Sequence, residues 1–374
     1  MSETGSPREA AIQFLERMVE IQSPSGEESR LSRFLESEMR SLGYDVHIDH
    51  VGNVIGRIGK GAPLILLSGH MDTVPWVKTT PRKEGFVSGR GSVDAKGPLA
   101  AMILAGKRLS DEGFKGSIMV VCTVQEEGDN RGIRSLIEAG VKADYGVFGE
   151  PTNTKTLTIA YKGCLMLEVE CSTEPGHSSA PWLHTNAIET AMDVHDLLSR
   201  LVAELSEEKE GFEALTTCVR SMKGGRNVGV VPSECRMIIE FRVPPKISIG
   251  FLKEKIEKKL SEYFNENKEA KVSYKFPRSV EPFQADKKSL LVSAFSRMIY
   301  REFREPVILV KKSGVGDMSF YGDAFKVPVI TYGPGDAHLS HTREEYIKID
   351  DFLLSIEIIK DSISYLMQFN DNSS

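Results

Sequence analysis

The chain has 374 residues, of which 40% are apolar and 27% charged, and its formal net charge at pH 7 is −6. This length and composition predict a globular protein of about two domains and exclude a disordered or collagen-like chain. The acidic balance gives no general attraction for nucleic acid. The longest apolar runs, 64–67 and 118–122, are far shorter than a membrane span, so we expect neither nucleic acid nor a membrane as a partner.

Helices and strands alternate in the first part of the chain. Apolar periodicity predicts helices over 10–21, 27–42, 96–111 and 132–139. It predicts strands over 44–48, 54–58, 63–68, 117–123 and 144–148. Alternation of this kind is typical of an α/β domain with a largely parallel sheet and helices on its faces.

The pattern changes after Gly163. The elements predicted next are, in chain order, a strand over 164–172, a helix over 185–205, strands over 214–222 and 234–243, a helix over 249–264 and a strand over 271–276. Strand-helix-strand-strand-helix-strand is the ferredoxin-like order, so residues 164–279 are predicted to form an α+β domain.

The α/β pattern resumes after Pro282. We predict helices over 288–303, 319–325 and 349–367, and strands over 307–311 and 327–332. The second domain is therefore predicted to be an insertion. It splits the first domain into residues 1–163 and 280–374.

The five cysteines are odd in number and form no Cys-x-x-Cys pair. They are Cys122, Cys164, Cys171, Cys218 and Cys235. Most lie in apolar, strand-like runs, which favours free thiols in a reducing compartment. Residues 1–10 are polar and lack the apolar stretch of a signal peptide, so we expect a cytoplasmic protein.

Acidic and histidine side chains recur where predicted strands of the first domain end. In open α/β sheets this edge is where sites are built. The candidates are His70, Asp72, Asp94, Glu126, Glu127, Glu150 and His341. Taken singly, each also fits a solvated loop, and Asp94 fits a helix N-cap.

Taken together, the candidates favour a metal site. A mixed set of imidazoles and carboxylates suits Zn²⁺ and similar ions, and the carboxylates suffice for two cations. The adjacent Glu126 and Glu127 would repel one another if buried without a cation. With metal present, one can be a ligand while the other takes a proton from water, which outlines a hydrolase for an amide bond.

The motifs resemble those of the M20 metallopeptidases through essentially the whole chain. They are Gly-His-Met-Asp-Thr-Val-Pro, Gly-Arg-Gly-Ser-Val-Asp-Ala-Lys-Gly, Glu-Glu-Gly, Gly-Glu-Pro-Thr, Gly-His-Ser-Ser-Ala-Pro and His-Thr-Arg-Glu-Glu. The resemblance implies a zinc-peptidase-like α/β catalytic domain with an inserted ferredoxin-like α+β lid. It also implies a homodimer formed through that lid.

The same resemblance implies two divalent ions, Zn²⁺ first and Co²⁺ as the alternative. His70, Asp94 and Glu150 would hold one ion, and Asp94, Glu127 and His341 the other, with Asp94 bridging. The peptide bond after Asp94 would be cis.

Three further residues would assist the reaction. Asp72 would orient His70, and Glu126 would carry a proton from the metal-bridging water to the leaving amine. His177, in the lid, would steady the oxyanion, in some relatives at the partner subunit's site.

Substrate contacts are also implied by the resemblance. Asn227 and Arg242 would grip the substrate's carboxylate or oxyanion, although Arg242 equally fits a structural ion pair. The loop that contains Gly314 and Gly316 would meet the substrate backbone.

The chain most resembles the acetyl-lysine and acetylornithine deacetylase branch, which includes enzymes that release lysine or ornithine from an acidic amino-group carrier protein. We therefore expect an amidohydrolase of lysine or arginine biosynthesis acting on a small N-acyl amino acid or a carrier-linked one. A succinyl-diaminopimelate desuccinylase and a dipeptidase or carboxypeptidase remain open alternatives. A non-catalytic binding homologue is disfavoured because every expected ligand and the base are present.

Overall fold

The structure is a computed structural model that describes residues 6–75, 84–225 and 228–370. Its helices are α1 Pro7–Glu20, α2 Ser29–Ser41, α3 Lys96–Asp111, α4 Arg131–Glu138, α5 Ala187–Leu205, α6 Ile249–Glu266, α7 Leu290–Phe303, α8 Asp317–Phe325 and α9 Ile349–Asn370. Its strands are β1 Asp45–Ile48, β2 Val54–Gly59, β3 Leu64–His70, β4 Phe86–Ser88, β5 Ser117–Thr123, β6 Tyr145–Gly149, β7 Thr156–Tyr161, β8 Gly163–Ser172, β9 Gly176–His177, β10 Thr216–Gly224, β11 Val230–Val231, β12 Glu234–Val243, β13 Lys271–Val280, β14 Phe283–Gln284, β15 Ile308–Lys312, β16 Val329–Thr331 and β17 Tyr346–Lys348.

The first helix begins earlier than its apolar periodicity predicts. The Ser6 hydroxyl accepts from the Glu9 amide, and the Glu9 carboxylate accepts from the Ser6 amide, which closes a capping box. Pro7 follows in the first turn, where its missing N–H costs nothing. Capping side chains therefore start α1 at Pro7, three residues before the apolar stripe.

The described residues fold into two units. The first is bounded by Met1–Ile159, Ala285–Val310 and Gly316–Ser374, and the second by Ala160–Gln284 and Lys311–Val315. Residues 311–315 thus belong to the second unit, whereas the sequence division placed them in the first domain.

The sheet of the first unit reverses its strand order at β3. The strands lie in the order β1-β2-β5-β3-β6-β16-β7, and β14 and β15 also pair with β7. β3 is parallel to both β5 and β6, and β6 is parallel to β16. Because α3 and α4 connect strands in opposite directions, right-handed crossovers place them on opposite faces of the sheet. The carboxyl ends of β5, β3 and β6 meet at this reversal, where open α/β sheets bind their ligands.

One face of this sheet is covered by α3, which packs on β3 and β5 and against α9. Close contact depends on small residues in α3. A Cβ on Gly106 would lie 2.4 Å from the Tyr44 hydroxyl, which donates to the Ile103 carbonyl at 2.6 Å. Burial raises the pKa of Tyr44 well above its usual value. The Tyr44 ring therefore packs directly on the backbone of α3.

The second unit is a four-stranded antiparallel sheet in the order β10-β12-β8-β13. The helices α5 and α6 pack together against it. Along β12 every second residue from Cys235 to Val243 is buried, and the alternate residues are more exposed. The strand order and connections are ferredoxin-like, which confirms the predicted fold class of an α/β domain with an α+β insertion.

Short strands account for most of the elements that periodicity does not predict. β4, β9, β11, β14 and β17 have two or three residues each, too few to show a period. β7 has six residues, is almost fully buried and is also not predicted. In the described part of the chain, no helix is both long enough and apolar enough to cross a membrane.

A buried asparagine joins the sheet to the segment that carries Glu126. Asn53 is fully buried, accepts from the Val124 amide at 3.0 Å and donates to the Gly132 carbonyl at 2.9 Å. We expect Asn53→Ala to lower the free energy of unfolding by about 3 kcal/mol, since both backbone groups lose their partners. Urea denaturation followed by circular dichroism measures this loss. The control is Asn267→Ala at the exposed end of α6, which should change it by less than about 0.5 kcal/mol; equal effects would contradict the prediction.

Candidate metal centre and active site

His70 is the last residue of β3, and its two ring nitrogens face different groups. Its side chain is 1% exposed, and Nδ1 lies 2.9 Å from the main-chain oxygen of Asp72. Because a carbonyl oxygen only accepts, Nδ1 carries a proton, and Nε2 is the nitrogen that faces the carboxylates. Nε2 lies 3.0 Å from Asp94 Oδ1 and 3.7 Å from Glu150 Oε1. The three side chains that sequence analysis assigns to one ion therefore converge.

The second group converges on the other oxygen of Asp94. His341 Nε2 lies 3.5 Å from Asp94 Oδ2 and 2.6 Å from Glu127 Oε1. Asp94 thus faces His70 with one oxygen and His341 with the other. The Asp94–Ala95 peptide bond is cis. Asp94 therefore lies between the two imidazoles, and the division of the ligands between two ions stays a prediction.

The carboxylate of Asp72 has contacts in addition to the expected one. It lies 3.6 Å from His70 Nδ1, and that nitrogen donates to the Asp72 main-chain oxygen. Its oxygens accept from the Ser25 hydroxyl at 2.6 Å and from the amides of Glu126 and Glu127 at 3.0 and 3.1 Å. Asp72 therefore contacts the imidazole with both its main-chain oxygen and its carboxylate, and the carboxylate also holds the backbone of the two glutamates.

Burial and charge shift the pKa values of this cluster in opposite directions. Burial raises the pKa of Asp94, but the hydrogen bond and charge of His70 outweigh it and hold that pKa at about 2. Burial and then the charge of Glu150 raise the pKa of Glu126 well above its usual value. The hydrogen bond to Glu127 raises the pKa of His341. Asp94 is thus stabilised as an anion, whereas Glu126 holds a proton more readily than an ordinary glutamate.

The donor set fits divalent metal ions. Single ligand atoms of His70, Glu126 and Glu150 lie within 4.8 Å of one another, as do those of His70, Asp94 and Glu127. Carboxylates crowded in this way repel one another unless cations neutralise them. Imidazole and carboxylate donors together suit Zn²⁺ and Co²⁺, and the groups are enough for two ions.

Sequence reasoning missed one acidic side chain beside this cluster. Asp317 begins α8, is buried, and accepts from the Thr123 hydroxyl at the end of β5 at 2.9 Å. Burial raises its pKa to about 6. The sequence does carry a signal for it, since Asp317 directly follows Gly316 in the loop after a predicted strand. The family resemblance implies a role only for the glycines of that loop.

The remaining predicted residues divide between the units. Gly316 is buried at the N-cap of α8 in the first unit, whereas Gly314 is exposed in the second. His177 in β9 and Arg242 in β12 also belong to the second unit. Asn227 lies outside the described residues.

His177 and Arg242 each form a hydrogen bond with a residue two positions away in the chain. His177 is exposed, and its Nδ1 accepts from the Ser179 amide at 3.1 Å. Arg242 Nε donates to Glu240 Oε1 at 2.7 Å. His177 Nδ1 is therefore an acceptor, which leaves Nε2 as the protonated nitrogen. One guanidinium N–H of Arg242 is used by an ion pair within its own sheet.

Comparison with known proteins gives a consistent result. The family described as peptidase family M20/M25/M40 matches residues 66–365. The LysW-lysine/LysW-ornithine hydrolase of Sulfurisphaera tokodaii is 32% identical over 95% of this chain and 95% of its own length. A protein of Thermococcus kodakarensis, whose name assigns it the same activity provisionally, is 35% identical over 96% of this chain and 92% of its own. The crystal structure of aminopeptidase PepT from Bacillus cereus has a TM-score of 0.79 at 19% identity, covers 96% of this chain and 99% of its own, and shares the fold.

The contacts of Asp72 predict how metal binding responds to its replacement. In Asp72→Asn one acceptor oxygen becomes an NH₂ group, which faces an N–H or O–H donor. We expect about 10–100-fold weaker binding of Zn²⁺, as for other groups that orient metal ligands. Calorimetric titration of metal-free protein measures the affinity. Ser25→Ala, which removes one donor to the same carboxylate, should have a smaller effect, and unchanged affinity in Asp72→Asn would contradict this role.

Proposed function

Because the chain belongs to peptidase family M20/M25/M40 and is a hydrolase, we propose that it cleaves the amide bond of an N-acyl amino acid in lysine or arginine biosynthesis. The observation that carries the proposal is the site itself. Two ligand groups share Asp94, and Glu126 lies beside them with its amide fixed by Asp72.

The metal-binding roles follow from the two groups. His70, Asp94 and Glu150 would hold one divalent ion, and Asp94, Glu127 and His341 the other. Zn²⁺ is the first choice, and Co²⁺ has similar ligand preferences. When bound, such ions polarise a carbonyl and increase the acidity of water.

Glu126 is proposed as the general base and acid. It takes a proton from the attacking water and delivers it to the nitrogen of the leaving amine. A carboxyl group transfers protons in both directions most effectively when its pKa lies near the working pH, and burial raises the pKa of Glu126 in that direction. The two amide hydrogen bonds to Asp72 hold the segment from which Glu126 projects.

Residues of the second unit, the proposed lid, are proposed from the family resemblance to contact the substrate's oxyanion or carboxylate. Because Nδ1 of His177 accepts from Ser179, its Nε2–H is available to donate to an oxyanion. Arg242 has guanidinium N–H groups beyond the one that Glu240 accepts, and these match a carboxylate. Asn227, Gly314 and Gly316 complete the proposed substrate contacts on the strength of the family resemblance.

For the substrate we propose lysine or ornithine attached to an acidic amino-group carrier protein of the LysW kind. The support is the identity of 32% to a LysW-lysine/LysW-ornithine hydrolase over nearly the full length of both chains. Free acetyl-lysine or acetylornithine is the closest alternative chemistry.

We also propose a homodimer formed through the lid. Trp182, Leu183 and Met192 in the second unit expose 78%, 69% and 54% of their surface, which is unusual for large apolar side chains. A cytoplasmic location is proposed because all five cysteines are free thiols, four of them buried.

Replacing the proposed base should separate catalysis from metal binding. In Glu126→Gln the amide cannot carry the proton, so we expect kcat to fall by about 10²–10⁴-fold while the protein still binds two ions. Steady-state kinetics and metal analysis of the same preparation measure the two properties. Asp129→Asn, at an exposed neighbouring carboxylate, is the matched control; wild-type turnover by Glu126→Gln would show that another group is the base.

The substrate proposal is tested by one panel of amides. It contains carrier-linked lysine and ornithine, acetyl-lysine, acetylornithine, succinyl-diaminopimelate and simple dipeptides. We expect the highest kcat/KM for a carrier-linked amino acid, with activity lost after chelation and restored by Zn²⁺ or Co²⁺. Preference for succinyl-diaminopimelate or a dipeptide would replace the substrate proposal, and activity insensitive to chelation would overturn the metal mechanism.

A further inference from the structure

Arg90 and Glu345 form a buried ion pair next to the segments that carry Asp94 and His341. The sequence does not assign either residue to the site. Arg90 is 5% and Glu345 is 1% exposed, and Arg90 Nη1 lies 2.6 Å from Glu345 Oε2. Burying two charges is costly, so a pair of this kind gives little net stability by itself. Both side chains also form hydrogen bonds to backbone groups near Asp94 and His341.

Each member of the pair holds the backbone of one ligand segment. Glu345 Oε1 accepts from the amides of Val93 and Asp94, both at 3.1 Å. Arg90 Nη2 donates to the main-chain carbonyl of His341 at 3.3 Å. The pair therefore links the backbone at Asp94 to the backbone at His341.

The segments that carry the pair are also joined by strands. β4 and β17 are antiparallel, with Ser88 opposite Tyr346. The Gly89 amide donates to the Glu345 carbonyl at 3.0 Å. This two-stranded sheet holds the two segments side by side. The ion pair then connects them at the residues next to Asp94 and His341.

We propose that Arg90 and Glu345 are positioning residues that set the spacing of Asp94 and His341, and thereby the affinity for the ion held by Asp94, Glu127 and His341. The inference rests on the proposed function for the existence of two metal sites. Neither side chain is placed as a ligand. His341 depends most on such support, because its side chain is half exposed and its φ of 65° is unusual for a residue other than glycine.

Two conservative variants separate position from charge. Arg90→Lys keeps the charge, but a single ammonium lacks the fork that reaches Glu345 and the His341 carbonyl together. Glu345→Gln keeps the shape, but its NH₂ group must face either Arg90 or the amides of Val93 and Asp94, all of which are donors. Both variants should therefore disturb the spacing while retaining every ligand.

The matched control is a buried carboxylate in the second unit. Glu168 is 4% exposed, and its carboxylate oxygens lie 2.8 Å from Arg236 Nη2 and 3.0 Å from Lys275 Nζ. Glu168→Gln also removes the charge of a buried carboxylate, whose partners Arg236 and Lys275 are themselves exposed, so it reports the effect of such a loss on stability alone.

The experiment is calorimetric titration of metal-free full-length protein with Zn²⁺, accompanied by thermal unfolding of the metal-free form. In Arg90→Lys and Glu345→Gln we expect one of two binding events to weaken about 10–100-fold, the range typical of groups that orient ligands. The other event should stay within about threefold. Glu168→Gln should retain both affinities, whatever its effect on the unfolding temperature.

The His341→Ala variant identifies which of the two ions binds more weakly. His341→Ala should abolish the same event, and adding Arg90→Lys to it should leave the remaining event unchanged. Unchanged affinities in both single variants would overturn the inference, as would equal weakening of the surviving event in the His341→Ala background. If Arg90→Lys loses its cooperative thermal transition, Glu345→Gln carries the test. Failure of the wild-type protein to bind two ions would overturn the proposed function, and this inference with it.

Discussion

The repulsion among carboxylates at one sheet edge is the constraint on which the rest of this structure depends. Asp94, Glu127 and Glu150 lie within a few ångströms of two imidazoles, and Glu126 is beside them. Such a cluster does not hold its geometry unaided, since each charge favours moving apart or becoming protonated. The surrounding hydrogen bonds are therefore aimed at the backbone from which these side chains project, and they fix the positions of the ligands before any cation is bound.

The order of the strands determines where that cluster forms. β3 lies between β5 and β6 and is parallel to both. The loops that follow these three strands therefore all start at the same edge of the sheet. His70 ends β3, and Glu126 and Glu150 follow β5 and β6 within a few residues. The parallel sheet thus brings together side chains that are distant in the chain. This is why the strand ends could be recognised as a site from sequence: the apolar runs and the polar residues after them are both local signals.

The parts of the site that could not be predicted depend on backbone atoms. The sequence His70-Met71-Asp72 suggests a carboxylate that orients an imidazole, and the structure adds the main-chain oxygen of Asp72, which accepts from Nδ1 of His70. The carboxylate also accepts from the amides of Glu126 and Glu127, because the loop after β5 turns back toward it. No side-chain pattern encodes that turn. In the fold, similarly, β5 and β12 were predicted with their observed bounds from apolar periodicity, whereas β4 and β17 exist only through their pairing with each other.

The ion pair of Arg90 and Glu345 is a long-range contact between residues that have matching positions in their own segments. Arg90 precedes Asp94 by four residues, and Glu345 follows His341 by four. Each ligand therefore has a charged residue at the same distance along its own segment, and the two segments meet through β4 and β17. Once they meet, Arg90 reaches the segment of His341 and Glu345 reaches the segment of Asp94. Because each partner holds the opposite ligand's backbone, neither segment can shift without stretching both contacts. The spacing between Asp94 and His341 is then set by covalent geometry and by charge-assisted contacts of this pair.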